Sequence, residues 1–295
     1  MSIETSMDTR ITGRIVKGVG GNYHVSTKNG LYICQARGLF RKEGISPLVG
    51  DYVEIDIVDN EKKAGYLQKI MPRTNSLIRP KIANIDQVVL VSAVVPPINL
   101  EVVDGFLVYC QEQGVDVVFC INKVDLDEAK DYRAIVQAYA RARYKVLCVS
   151  AKGGHGLNEL GIAMQGKTSI FAGPSGVGKS SLLNALYPQC SLDVGGLSDK
   201  IQRGKHTTRH TLLLAVAEDT FVIDSPGFTS FSIAHIDKSR LAQCYPEFTP
   251  YLQGCYYIDC MHVHEHDCAI KEQVGKTIDP GRYERYTKFV KKAEA

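Results

Sequence analysis

No run of the chain approaches the roughly 18 uncharged apolar positions that a membrane-spanning helix needs, and the polar start "MSIETSMDTR" has no apolar stretch of the kind a secretory signal carries. These two absences argue against an integral membrane helix and against export, so the chain is expected in the cytosol, away from membranes. A large excess of one charge is also missing. Lysine and arginine number 35 against 32 aspartates and glutamates, a net +3, which by itself demands no acidic partner. What is present is ordinary for a folded chain: 295 residues, 44% hydrophobic and 23% charged, enough for two or three domains. In a reducing cytosol the nine cysteines read as thiols or metal ligands and not as disulfides, above all Cys255, Cys260 and Cys268, which crowd together. Residues 1–48 are locally basic, with Arg10, Arg14, Lys17, Lys28, Arg37, Arg41 and Lys42 against Glu4, Asp8 and Glu43. Such a bias serves either as a solvated surface or as a contact for nucleic acid.

The first seventy or so residues are short apolar runs separated by glycines and polar turns: "GRIVKGVGGNYHV", "LYICQARG", "DYVEIDIV" and "GYLQKIM". In the third, Val53, Ile55 and Ile57 alternate with Glu54 and Asp56, the period of a half-buried strand. Four or five such strands predict a small barrel, of OB-fold or SH3-like type, and an OB-fold face commonly receives RNA or single strands. "MPRTNSLIRPKIAN", with Pro72 and Pro80, breaks the pattern and reads as a linker.

From Ile85 the texture becomes buried strands alternating with helices, with helices predicted near 101–113 and 128–143, so an α/β domain with a mainly parallel sheet is expected. The strand "TSIFAG" runs into "GPSGVGKSSLLNAL", giving strand, glycine loop and helix in the order of a P-loop. The loop Gly173, Pro174, Ser175, Gly176, Val177, Gly178 offers backbone N–H groups to phosphate oxygens at a helix N-terminus. Lys179 then reaches the outer phosphates, Ser180 is placed to ligate magnesium, and Ser181 follows in the first turn. "VIDSPGF" supplies Asp224 at a strand end for the magnesium shell and Gly227 with a backbone N–H for the γ-phosphate. "GKHTTRHT" lies between these two motifs, where a switch segment belongs, and offers Thr207 or Thr208 as a magnesium ligand, Thr208 being favoured.

Guanine recognition is expected upstream. In "INKVDL", Asp125 accepts from the guanine N1–H and exocyclic amine, Asn122 braces the site, and the Lys123 stem lies along the base. "SAKGG", with Ser150, Ala151 and Lys152, follows the next strand and presents a backbone N–H to the guanine oxygen. Five GTPase motifs are therefore present in the order fourth, fifth, first, second, third. The domain reads as circularly permuted, which joins surface termini and cuts a loop while leaving the packing intact.

"CYYIDCMHVHEHDC" places three cysteines and three histidines within fourteen residues, a soft donor set suited to zinc. A Cys-x4-Cys-x-His-x5-Cys spacing selects Cys255, Cys260, His262 and Cys268, leaving His264 and His266 outside the set. Four ligands close a tetrahedral site, so a structural zinc is expected. The tail "RYERYTKFVKKAEA" predicts a helix with Tyr283, Tyr286 and Val290 on one face. Arg282, Arg285, Lys288 and Lys292 lie on another, as a solvated basic surface or an RNA-phosphate contact.

A small barrel, a permuted GTPase and a Cys-x4-Cys-x-His-x5-Cys module in this order resemble the ribosome small-subunit-dependent GTPases of the RsgA (YjeQ/YloQ) family, along nearly the whole chain. "GVGKSSLLNAL", "GKHTTRHT", "DSPGF" and "RYERY" are similar to family segments. The resemblance implies an OB-fold barrel at 1–72, a GTPase domain at 73–235 and an α-rich zinc module at 236–295. It implies a bacterial enzyme converting GTP to GDP and phosphate, with magnesium and one zinc. Such an enzyme binds the 30S subunit and its 16S rRNA, is stimulated by it, and acts late in its assembly; a monomer is expected. Gly105 stands where the family commonly has arginine, and Ser225 where threonine is usual. Phe228 occupies the place after the third motif's glycine, where many GTPases put a water-orienting glutamine, and its ring neither donates nor accepts. The resemblance implies that His206 takes that role, beside Lys179 and Thr208. A second reading, an RNA-binding zinc module with GTP as regulatory ligand, stands beside the first.

Overall fold

The computed structural model describes residues 10–38, 40, 44–77, 81–190, 211–224 and 236–294. In chain order these form β1 (Arg10–Val19), β2 (Asn22–Thr27), β3 (Gly30–Ala36), β4 (Tyr52–Asp59), β5 (Ala64–Ile70), β6 (Ser76–Leu77), β7 (Ile82–Ala83) and β8 (Gln87–Ala93). There follow α1 (Leu100–Glu112), β9 (Asp116–Asn122), α2 (Tyr132–Arg141), β10 (Lys145–Cys148), α3 (Leu157–Met164) and β11 (Thr168–Ala172). The last are α4 (Lys179–Leu186), β12 (Leu212–Ala217), β13 (Thr220–Asp224), α5 (Lys238–Leu241) and α6 (Pro280–Glu294). Among the described residues no helix is long and apolar enough to cross a membrane. The chain divides into two compact units, Met1–Asp86 with Gly166–Ile170 and Ser198–Pro226, and Gln87–Gln165 with Phe171–Leu197 and Gly227–Ala295.

In the first unit β1 pairs antiparallel with both β2 and β4, β2 with β3, and β4 with β5, while β3 and β5 run parallel. The five strands thus close in the ring order β1, β2, β3, β5, β4 and back to β1. This closed five-stranded barrel is the OB arrangement, which the apolar runs alone left open against an SH3-like one. Alternation sets its inside: Val53 and Ile55 of β4 are buried while Tyr52 faces out, and Ile15, Val25, Tyr32 and Leu67 fill the interior. Ile57, the third apolar position of that strand, is only half-buried.

The stretch expected to be a loose linker is tied down instead. Arg73 donates through Nε to Asp51 Oδ1 at 2.7 Å and through Nη2 to Asp51 Oδ2 at 2.8 Å, and Asn84 donates to Gly50 O at 3.1 Å. β6 and β7 pair across the same segment. The asparagines hold the described part of the segment: Asn75 Nδ2 donates to Ile85 O at 2.7 Å, and Asn84 Oδ1 accepts from Thr74 N at 2.9 Å, so these backbone groups find partners. The same unit contains an edge of the α/β sheet: β13 pairs parallel with β11 and antiparallel with β12, and β12 meets β1 at Lys17 and Leu212.

In the second unit β8, β9 and β10 lie parallel, with Ala93 opposite Asn122 and Cys148 opposite Ile121. Every residue of β8 is buried, as befits a strand covered on both faces. α1 is the crossover from β8 to β9; Asn99 caps it by accepting from Glu101 N and Val102 N, both at 3.1 Å. The C-terminal module centres on Tyr245, Phe248 and Tyr286, whose ring centroids lie 4.9–5.2 Å apart.

α6 does not present the free basic face its sequence suggests. Arg282 is 1% exposed and donates to Asp104 of α1 and to Glu247, and Arg285 donates to the other Asp104 oxygen. Tyr139 adds a hydrogen bond to Asp104 at 2.6 Å. Burial alone would pull the Arg282 guanidinium down, but Asp104 and Glu247 hold it well above the ordinary arginine range. Lys288 and Lys292 remain on the surface, paired with Glu284 and Glu101.

Candidate functional site

The phosphate loop begins where β11 ends at Ala172, and α4 starts at Lys179. Two glycines there are dictated by geometry. Gly173 has φ +132° and a Cβ on it would run into Val91 O; Gly178 has φ +93° and a Cβ would meet the Asn122 side chain. Their backbone can therefore take the tight path that points N–H groups inward. Lys179 Nζ donates to Gly173 O at 2.7 Å and to Pro174 O at 2.8 Å, so the ammonium is held over the concave side of its own loop. Burial lowers its pKa, a desolvation that an anionic ligand would relieve. Ser180 and Ser181 occupy the first turn of α4, Ser180 half-buried.

The residues expected to read the base lie at or just after the C-terminal ends of the parallel strands β9 and β10, where ligands of open α/β sheets bind. Asn122 closes β9, is 1% exposed, and links three loops: its Nδ2 donates to Val177 O at 2.8 Å and its Oδ1 accepts from Ala151 N at 3.2 Å. Lys123 takes a left-handed backbone at φ +61°, and its Nζ donates to Gly176 O at 2.7 Å and Val95 O at 3.1 Å. Asp125 lies exposed in the helical turn Val124–Leu126, where its carboxylate is open to a ligand. Ser150 is buried, and its Oγ accepts from Gly153 N at 2.8 Å, which shapes the turn carrying Ala151 and the exposed Lys152. The structure thus brings Asn122, Lys123, Ala151 and Gly173–Lys179 into one constellation. The contact of Lys123 with Val95 had no signal in the sequence, since Val95 lies in an irregular turn with no motif.

Asp224 is the last residue of β13, which reaches it from Thr220 in parallel with β11. Its side chain lies outside the described residues, as do His206, Thr207, Thr208, Gly227 and Phe228. Of the side chains expected to hold magnesium, Ser180 is the one among the described residues, and its hydroxyl is a hard oxygen donor that suits that ion.

The metal cluster is fully described. The donor atoms of Cys255, Cys260, His262 and Cys268 all lie within 4.8 Å of one another. Cys255 Sγ and Cys268 Sγ are each 3.4 Å from His262 Nδ1 and 3.8 Å apart. A tetrahedron with metal–sulfur bonds of about 2.3 Å has ligand edges of about 3.8 Å, so the spacing and the Cys3His chemistry fit a bound zinc. The surrounding loop is organised by Glu265, which accepts from Met261 N at 2.6 Å, Val263 N at 2.8 Å and His264 N at 3.1 Å. Burial alone would raise the Glu265 pKa, yet these N–H bonds hold it below the ordinary glutamate value. α6 steadies the ligands from behind: Tyr283 Oη donates to His262 O at 2.8 Å and Tyr286 Oη to Met261 O at 2.7 Å. The excess histidines fall outside the cluster, as the spacing implies.

A family model described as RsgA GTPase matches residues 70–234, and one described as RsgA N-terminal domain matches residues 12–67. A protein of Alkaliphilus metalliredigens named small ribosomal subunit biogenesis GTPase RsgA is 41% identical over 281 residues, covering 94% of this chain and 96% of its own. Its namesake in Caldanaerobacter subterraneus subsp. tengcongensis is 42% identical over 287 residues, covering 97% and 96%. Among solved structures, YjeQ from Thermotoga maritima superposes with a TM-score of 0.83 at 33% identity, covering 97% of this chain and 99% of that one. YloQ, described as a circularly permuted GTPase, gives 0.81 at 33%, covering 99% and 98%.

Proposed function

We propose, from the premise that the chain belongs to the RsgA family of circularly permuted GTPases, that it binds the small ribosomal subunit and its rRNA, is stimulated by it, and acts late in its assembly as a maturation checkpoint. The activity is hydrolysis of GTP to GDP and phosphate, in the service of ribosome biogenesis. One observation carries the finer reading: relatives named for small-subunit biogenesis match over 94% of the chain or more, so barrel, GTPase and metal module are inherited as one device.

In this reading the N–H groups of Ser175 to Ser181 cradle the phosphates, with Gly173 and Pro174 shaping the loop, and Lys179 turns from its own loop's carbonyls to the outer phosphates. Asp125 reads the guanine edge, Ala151 with Ser150 and Lys152 contacts the guanine oxygen, and Asn122 holds these loops together. Magnesium, held by Ser180, Asp224 and Thr207 or Thr208, supplies neutralisation of the transferring phosphoryl charge. Zinc in the Cys3His cluster, one per chain, supplies a structural crosslink. Because Phe228 offers no hydrogen bond, His206 orients the attacking water, and the protein works as a cytoplasmic monomer that hydrolyses slowly when alone.

The test is single-turnover GTP hydrolysis with and without saturating 30S subunits, on wild type and His206→Ala. Subunits should accelerate the wild type, whereas His206→Ala should keep GTP and subunit affinity and lose most of the acceleration, since a water-positioning group acts on the transition state. Wild-type turnover indifferent to subunits overturns the checkpoint reading; a His206→Ala enzyme as fast as wild type removes the histidine from its role.

A further inference from the structure

Strand β1 makes two kinds of contact inside the first unit. Arg10–Arg14 pair with β4 to close the barrel, and Lys17 pairs with Leu212, the first residue of β12. Between them Arg14 leaves the barrel. Arg14 is 6% exposed, and its guanidinium donates through Nε to Gly50 O at 3.2 Å and through Nη2 to Asn84 O at 2.8 Å and lies 4.9 Å from the ring centroids of both Tyr52 and Phe221. Tyr52 belongs to the barrel strand β4, whereas Phe221 is on β13, three residues before Asp224. β12 in turn starts four residues after Thr208. A single barrel strand therefore touches both strands that lead to the segments assigned above to the γ-phosphate and its metal.

The way Arg14 is held is also unusual for a buried cation. Among the described residues no carboxylate lies within ion-pair distance of it, and burial lowers its pKa against the smaller opposing pull of Tyr52 and Asp86. A buried charge without a bonded counter-charge is costly, and an apolar side chain of similar volume would avoid that cost. What the guanidinium delivers that an apolar group does not is direction: one planar fork fixes the Gly50 turn, the Asn84 backbone and the Phe221 ring at a single point.

We propose that Arg14 is a positioning residue for GTP hydrolysis, through which engagement of the barrel by the small subunit sets the position of β13 and its Asp224 end. The proposal rests on the reading that small subunits stimulate turnover, and its test separates the two. Arg14→Met, Arg14→Lys and Phe221→Leu are compared with wild type in the full chain, by single-turnover hydrolysis with and without saturating 30S subunits and by affinity for a non-hydrolysable GTP analogue and for the subunits. In Arg14→Met the ratio of stimulated to basal turnover should fall roughly ten-fold, within the span of ordinary coupling energies. Both affinities should stay within about two-fold of wild type, the pattern of an effect on the transition state alone. Arg14→Lys should recover part of the ratio, and Arg14→Met combined with Phe221→Leu should be no worse than either single variant, because both break one contact. An unchanged ratio overturns the proposal. So does a parallel fall of basal and stimulated rates, which would leave Arg14 as mere packing. If the wild type itself is not stimulated, the checkpoint reading fails, and hydrogen exchange decides for Arg14: amides of Thr220–Asp224 should exchange about ten-fold faster in Arg14→Met while those of β2 and β3 stay unchanged. Equal exchange in β13 overturns it.

Discussion

Arg14 and Arg282 are two buried arginines that lie against aromatic rings, and they differ in what answers their charge. Arg282 has two carboxylates, Asp104 and Glu247, and three rings, Tyr139, Tyr144 and Tyr245, within 5.0–5.4 Å of its guanidinium. Arg14 has two carbonyls and two rings. The two are accordingly pushed in opposite directions, Arg282 far up and Arg14 down. A charge compensated on all sides behaves as a bolt: it ties α6 to α1, and losing any member exposes the others. A charge answered by carbonyls, rings and only a distant carboxylate can be replaced with little loss of stability, so its presence reads as a demand for geometry.

Three substitutions probe that contrast, each by urea unfolding of the full chain followed by circular dichroism. Arg282→Ala should be the most damaging, by about 3–5 kcal/mol, because Asp104 and Glu247 are left buried and unmatched. A smaller loss would mean that the carboxylates are hydrated or protonated once the arginine is gone, and the bolt description would fail. Asp104→Asn should cost roughly 2 kcal/mol: the amide oxygen still accepts one bond, while the charge that Arg282 and Arg285 share is lost. Arg14→Met should cost about 1 kcal/mol or less, since the lost ring and carbonyl contacts are offset by relief of a desolvated cation. A loss as large as that of Arg282→Ala would erase the distinction between the two sites.

Much of the architecture was legible because it is written in local patterns. The period-two alternation of β4, the strand, glycine loop and helix around Lys179, and the spacing from Cys255 to Cys268 each depend on neighbours in sequence. The misread parts depend on partners far away. Helical periodicity sets Arg282 beside Arg285 and Lys292, which suggests a solvated or RNA-contacting basic face, yet its partner Asp104 is 178 positions distant. The one available signal was Asp104 itself, a carboxylate inside the apolar run from Val102 to Tyr109. A charge in the middle of a buried helix face asks for a buried partner. The prolines of residues 71–84 likewise suggest a linker, although Arg73 answers Asp51 across 22 positions. The barrel type was undecided for a related reason: apolar alternation gives strands, whereas the parallel meeting of β3 with β5 that defines the OB ring is non-local. At the nucleotide site, motifs located the groups but not the bonds among them.

Those bonds bear on how the proposed ligand would be selected. Asn122 donates to Val177 O of the glycine loop and accepts from Ala151 N, so on the proposed assignment of the first loop to phosphate and the second to the base, the two halves of the pocket share one residue. Nucleotide fragments should then bind with positive cooperativity: guanosine fixes Asn122, and through Val177 lowers the ordering cost that pyrophosphate meets, and the reverse holds equally. A nucleotide with the wrong base forfeits both its own contacts and part of the grip on its phosphates. If the proposed assignment holds, discrimination against adenine should be amplified at the end of the ligand that both nucleotides have in common.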